Sequence, residues 1–274
     1  MDSNTKQWLF RTYYKHLKYL INRKYDELAL VFIMLNKTVN KGIMFDVGSH
    51  FGESARPFLM LGWTVYAFEP DPDINKSSRL HNLEKAFSTF HLYDLAISDV
   101  DDQELPFFAS SESTGISSLL SFTRGHREVK KARTRTLNRF AKDTSIGAID
   151  FLKVDTEGND LNVLKGCALE QFTPKVVLCE FEDNKTKKIG HTYTDIGNYL
   201  IDHGYDVFMS EWYPIERYGI EHKWRCIKRY PCETEDPVSW GNFIAVNNEY
   251  ANTFTGLLKK RYRIDIKRRS NHGL

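Results

Sequence analysis

Residues 43–52, Ile43 to Gly52, read I-M-F-D-V-G-S-H-F-G. A short apolar run with β-branched and aromatic residues carries Asp46 near its end. Two glycines follow, Gly48 and Gly52, and beyond them Ala55, Phe58, Leu59 and Leu61 are spaced for one buried helix face. The pattern predicts a strand, a tight turn and a helix N-terminus. Glycine tolerates positive φ and close approach of a ligand, and a helix start offers unpaired N–H groups. Asp46 would aim a carboxylate into the same crevice, with Gly48, Ser49 and Gly52 as the surrounding contacts.

Thr64 to Pro70, T-V-Y-A-F-E-P, is a second buried-strand run that ends in Glu69. In a doubly wound parallel sheet, an acid at the second strand tip is placed for a ribose diol. The glycine spacing is D-x-G-x-x-x-G rather than G-x-G-x-x-G, so the turn suits a nucleoside without a pyrophosphate.

These two stretches resemble the first two motifs of S-adenosylmethionine (SAM) dependent methyltransferases. With L-A-I-S-D (Leu95 to Asp99) and F-L-K-V-D-T-E-G-N-D-L-N-V-L-K-G (Phe151 to Gly166), the chain resembles the FkbM family in particular. The resemblance covers roughly residues 40–185. It implies a Rossmann-like class I α/β fold, a mostly parallel seven-stranded sheet with helices on both faces, and O-methylation of sugars or polyketide-like hydroxyls. It also places Asp94 and Ala96 near the adenine ring; for Asp94, a solvated strand-end acid is the competing reading.

The chain has 274 residues, 41% of them hydrophobic, enough for one large domain with a sizeable core. The expected organisation is a helical extension over 1–40, a catalytic domain over 41–250 and a basic tail over 251–274. The net charge of +2 gives no strong field toward nucleic acid, and no nucleic-acid partner is expected. Four cysteines without a C-x-x-C pair suit reduced thiols, although a Cys226–Cys232 bridge stays open. The first thirty residues are charged throughout, and the run Leu28 to Leu35 is too short to cross a bilayer, so a cytoplasmic protein without a transmembrane segment is expected.

W-L-F-R-T-Y-Y-K-H-L-K-Y-L-I, from Trp8, has helical apolar spacing with lysines and arginines between, fitting a sheet cover or homodimer contact, or attachment to a membrane surface. Further strands are expected over Phe87–Ser98, 99–109, Ile149–Asp155, Pro174–Phe181, Gly204–Met209 and Asn242–Asn247. Helices are expected over Asp73–Glu84, Asp160–Leu169 and Tyr193–His203. The serine-rich stretch from Ser110 is a loop that could close over the cofactor or substrate. Arg133 and Arg135 mark an edge strand, either solvated or facing an acidic substrate. Residues 210–240 form an irregular insertion holding Trp212, Tyr213, Tyr218, Trp224, Tyr230 and Trp240.

Ligands bind at the carboxyl ends of such sheets, where the strands bring together Asp46, Glu69, Asp155 and Glu180. With two acids serving the cofactor, Asp155, Glu157 and Glu180 remain for the acceptor. Methyl transfer from a sulfonium is an in-line displacement in which the acceptor hydroxyl must be positioned and deprotonated. Asp155 is the expected base, Glu157 its helper and Lys153, two residues earlier on the same side of the strand, its partner. Alternatively Asp155, Glu157, Glu180 and possibly Asp183 hold a divalent cation such as Mg²⁺. His50, inside the turn, could reach the acceptor side. Indoles in a polar insertion fit stacking on a sugar or glycan, with core packing or an interface as alternatives. The rivals to a methyltransferase are a nicotinamide-dependent oxidoreductase and a non-catalytic SAM-binding module.

Overall fold

The computed structural model describes residues 24–217 and 220–266. Eight strands form the main sheet: β1 (Ile43–Val47), β2 (Thr64–Phe68), β3 (Phe90–Tyr93), β7 (Phe151–Val154), β8 (Val176–Glu182), β9 (Tyr205–Trp212), β10 (Trp224–Arg229) and β11 (Trp240–Asn247). Their order is β10-β9-β11-β8-β7-β1-β2-β3. β3, β2, β1, β7 and β8 run parallel, while β11 lies antiparallel to both β8 and β9, and β10 antiparallel to β9. The chain reverses direction across the sheet at β1, between β2 and β7, which is where an open α/β sheet leaves a crevice at its carboxyl edge.

Alternation along each strand sends side chains to two cores. Phe45, Leu152, Cys179 and Phe243 pack on the face covered by helices 137–143, 160–165 and 193–202. Met44, Phe151, Leu178 and Ile244 pack on the opposite face with helices 27–38, 55–60, 78–86 and 251–262. Helices cover both faces, as a Rossmann-like fold requires.

The seven-stranded expectation is corrected in two places. The run Phe87–Ser98 breaks after Tyr93, and β4 (Ala96–Ile97) leaves the main sheet to join β5 (Glu104–Ser110) and β6 (His126–Arg135) in a separate three-stranded sheet ordered β4-β6-β5. β10 is the eighth main-sheet strand, lying inside the stretch expected to be irregular. Its six residues, W-R-C-I-K-R, carry only one fully buried side chain, Ile227, and so give little period-two signal.

The extension and tail are also more integrated than composition suggests. Leu30, Met34 and Leu35 from helix 27–38 interlock with Phe254 and Leu258 from helix 251–262 in one core. Asp26 caps the first of these helices by accepting from the Ala29 N–H at 2.9 Å. The aromatic segment beginning at Trp8, and with it the expected homodimer or membrane contact, lies outside the described residues. No helix among the described residues is long and apolar enough to cross a membrane. All four cysteines are free thiols. Arg133 and Arg135 do lie on a strand of the small sheet, and they pair with Asp102 at 2.6 Å and Asp143 at 3.2 Å.

Candidate active site

The turn after β1 is held from below and from the side. The N–H groups of Gly48 and Ser49 donate to the Phe68 carbonyl at 3.1 and 3.2 Å. Gly48 has φ +74°, and a Cβ there would lie 1.8 Å from the Asp155 carbonyl oxygen. Gly52 has φ +71°, and its Cβ would lie 2.5 Å from Leu83 Cδ1. The Cβ positions of these two glycines are thus taken by other parts of the protein, the end of β7 and helix 78–86. Ser49 is buried within the turn.

Glu69 is built into the same turn. His50, at φ +47°, donates its N–H to Glu69 Oε2 at 2.8 Å, and the Asp71 N–H donates to Oε1 at 2.8 Å. Burial pushes the Glu69 carboxyl up to about 7, against the two N–H groups that favour its anion. Asp46 is fully buried and does not reach the cavity wall. It accepts from Ser54 Oγ at 2.5 Å and faces Lys153 Nζ at 3.5 Å. Burial raises its pKa while Lys153 and Ser54 oppose the rise.

A cavity of about 200 Å³ opens at the switch point. Gly48, His50 and Glu69 form one side, Leu95, Ala96, Ile97 and Phe107 an apolar wall, and Asp155, Thr156, Glu157 and Asn159 the end nearest β7. Asp94 takes no part; it is exposed and pairs with the Lys130 ammonium on β6. The serine-rich loop does close over this cavity, since Thr114, Gly115, Ser117, Ser118 and Leu119 all line it. Thr114 Oγ1 lies 3.0 Å from His50 Nε2, and Ser118 Oγ donates to the Glu157 carbonyl at 2.9 Å. Burial lowers the His50 pKa, which favours the neutral imidazole.

The turn from Asp155 to Asp160 is braced by its own last acid. Asp160 accepts the N–H groups of Thr156 at 2.8 Å and Gly158 at 2.9 Å. This holds Glu157 at φ +58° and presents its side chain at the cavity end. Carboxylate oxygens of Asp155, Glu157 and Glu180 lie within 4.8 Å of one another. Asp155 pairs with Lys153 at 3.1 Å. Glu180 stands behind this group and does not line the cavity.

Sequence reading missed Lys185. Its ammonium is nearly inaccessible, with a side-chain exposure of 2%, and sits among Glu157, Glu180 at 3.5 Å and Glu182 at 2.7 Å. Burial works against its charge, but the three carboxylates outweigh it and raise the lysine pKa. Glu157 is pushed up to about 7 by burial, with Lys185 pulling the other way. Glu180 is raised by burial and by its neighbour Glu157. The positive charge that the Mg²⁺ reading required at this cluster is thus supplied by a side chain. In sequence, Lys185 was one of several lysines in N-K-T-K-K, and only the short helix 183–186 turns it inward.

Trp212, Trp224 and Trp240 come together in a second groove of about 700 Å³, with Glu27. Tyr230 instead enters the core on the opposite sheet face, and Tyr218 lies outside the described residues.

No curated protein matches the chain. Among solved structures, a precorrin-6y C5,15-methyltransferase from Geobacter metallireducens aligns at TM-score 0.42 and 12% identity, covering 82% of this chain and 90% of that one. A magnesium protoporphyrin IX methyltransferase from Synechocystis PCC 6803 with bound S-adenosylhomocysteine (SAH) aligns at TM-score 0.42 and 12% identity, covering 80% of each chain. A 1,6-didemethyltoxoflavin-N1-methyltransferase from Burkholderia thailandensis aligns at TM-score 0.40 and 9% identity, covering 90% and 92%. The sequence itself matches the methyltransferase FkbM domain over residues 46–207, more than half of its length and all the residues that line the cavity: the chain belongs to the FkbM methyltransferase family.

Proposed function

We propose that the protein transfers a methyl group from SAM to a hydroxyl of a sugar or glycan. The observation that carries this reading is the single cavity shared by Glu69 and Glu157. Glu69 has each oxygen anchored by one backbone N–H, which leaves lone pairs directed outward for a vicinal diol. The wall formed by Leu95, Ala96 and Ile97 suits a flat heterocycle. These residues fit an adenosyl group, and Asp46 and Lys153 support the turn beneath it. When bound, SAM supplies an electrophilic methyl carbon on a sulfonium, with a neutral thioether as leaving group.

The chain's own task is to hold the acceptor and take its proton. A base works best with a pKa near the operating pH, and Glu157, at about 7, meets that condition. Asp155 was the base expected from sequence, but its side chain is 40% exposed and already paired with Lys153. Its better role is to accept a second acceptor hydroxyl beside the reacting one. Proton transfer from the hydroxyl to Glu157 Oε then accompanies methyl transfer in line. Lys185 keeps Glu157 ionised often enough to serve, and Ser118, through the Glu157 carbonyl, fixes the turn.

Thermal melting with SAH tests the donor half of this reading. At a hundredfold excess over Kd, a bound ligand contributes about 2.7 kcal/mol, which corresponds to roughly 5–10 °C for a chain of this size. Absence of a shift at millimolar SAH counts against it.

A further inference from the structure

Three indoles stand in register across the edge of the main sheet. Trp224 on β10 pairs with Trp212 on β9, Trp212 with Trp240 on β11, and Trp240 with Glu182 on β8. Register partners point to the same side of a sheet. Glu180 shares that side by alternation along β8, so the row runs from three aromatic rings directly into the acidic cluster beside the cavity. Neighbouring strands are about 4.8 Å apart. Trp224 to Trp240 therefore spans about 10 Å, the reach of two linked pyranose rings, and Glu182 is one strand further on.

The rings are fixed before any ligand arrives. Trp212 Nε1 donates to Glu27 Oε1 at 2.6 Å, Trp224 Nε1 to Ser210 Oγ at 3.2 Å, and Trp240 Nε1 to the Tyr213 carbonyl at 3.1 Å. Trp212 and Trp240 lie 5.7 Å apart with planes 30° from parallel, and all three indoles are half-buried along the groove. With every N–H committed internally and one face of Trp224 stacked on Tyr25 at 4.1 Å, the row offers a visitor its remaining apolar surface rather than donors. Rigid aromatic anchors lose little entropy on binding. The apolar C–H faces of sugar rings suit such a surface, and the buried Glu27 carboxylate, which accepts from Ser210 Oγ and Trp212 Nε1, holds the row in place.

We propose that this row is a subsite for the non-reacting units of an oligosaccharide acceptor, which places its terminal unit past Glu182 at Glu157. The inference rests on the sugar-acceptor reading above and narrows it to a chain of linked rings.

The test is titration of intrinsic tryptophan fluorescence with linear gluco-, manno- and chito-oligosaccharides of one to four units. It is run on the wild type, Trp240→Ala and Trp240→Phe, with SAH binding and melting temperature measured on each. Each stacked ring is worth about 1 kcal/mol, so affinity for the best series should rise about thirtyfold from one unit to three. Trp240→Ala should cut that gain about fivefold, Trp240→Phe should retain most of it, and SAH affinity should stay unchanged in both. No binding by any series, affinity independent of length, or a folded Trp240→Ala that binds like the wild type overturns the proposal. SAH binding without oligosaccharide binding sinks the subsite and leaves the methyltransferase reading standing. Length-dependent binding of sugars to a protein that ignores SAH does the reverse.

Discussion

The carbonyl oxygen of Asp155 occupies the place where a side chain on Gly48 would begin, 1.8 Å from the ideal Cβ position. The turn that follows the first strand and the acid that ends β7 are therefore one packed unit, although more than a hundred residues separate them. Gly48→Ala should force these segments apart while also imposing a positive φ on alanine. We expect a loss of stability of about 3 kcal/mol or more, read by urea denaturation. A near-neutral result would mean that the turn and the β7 end are not in contact.

Lys185 is the only positive charge touching three buried carboxylates among the described residues. Lys185→Met leaves those carboxylates uncompensated, which should cost about 3–5 kcal/mol. Because Lys185 lowers the Glu157 pKa, its removal should also move the acid limb of the rate profile to higher pH. A profile with the wild-type acid limb would show that Glu157 is not the group whose ionisation is being read.

Stability of the unliganded protein should fall as pH rises toward neutrality. Glu69 and Glu157 both titrate near 7 in the fold and near 4.5 when unfolded. Between those values the folded chain holds protons that the unfolded chain has released, so stability is full below about pH 4.5 and declines through pH 7. Glu69→Gln should flatten the decline in melting temperature between pH 5 and 7.5. An unchanged slope would remove Glu69 as its source.

Ser118 is buried, donates to the Glu157 carbonyl and accepts the Leu120 N–H at 3.0 Å. Ser118→Ala should cost about 1–2 kcal/mol and loosen the loop over the cavity, weakening SAH binding several-fold. Wild-type SAH affinity in this variant would show that the loop does not close on the cofactor.

The strand and turn elements were legible in sequence wherever local pattern and tertiary placement agree. I-M-F-D-V and T-V-Y-A-F are buried on both faces and bounded by glycine or proline, and both are strands with Glu69 at the cavity. Legibility failed where a residue's role depends on what lies across space. Asp94 sits at a strand end as expected, but Lys130 on the small sheet draws it outward. Lys185 and Glu157 are 28 positions apart, and only the inward turn of helix 183–186 joins them. Asp46 and Asp155 look equivalent as strand-end acids, yet one is wholly buried under the turn and the other is partly open to solvent. The register of Trp224, Trp212 and Trp240 was hidden because β10 has too little alternation to announce itself.

In the proposed function, acids from separate strand ends divide one cavity between donor and acceptor. Isothermal titration of SAH into the wild type, Glu69→Ala and Glu157→Gln tests it most directly, with turnover of Glu157→Gln measured alongside. We expect at least a hundredfold loss of SAH affinity for Glu69→Ala, wild-type affinity for Glu157→Gln, and a fall of about 10²-fold or more in kcat for the latter. SAH binding by Glu69→Ala at wild-type affinity, or full turnover by Glu157→Gln, would contradict it.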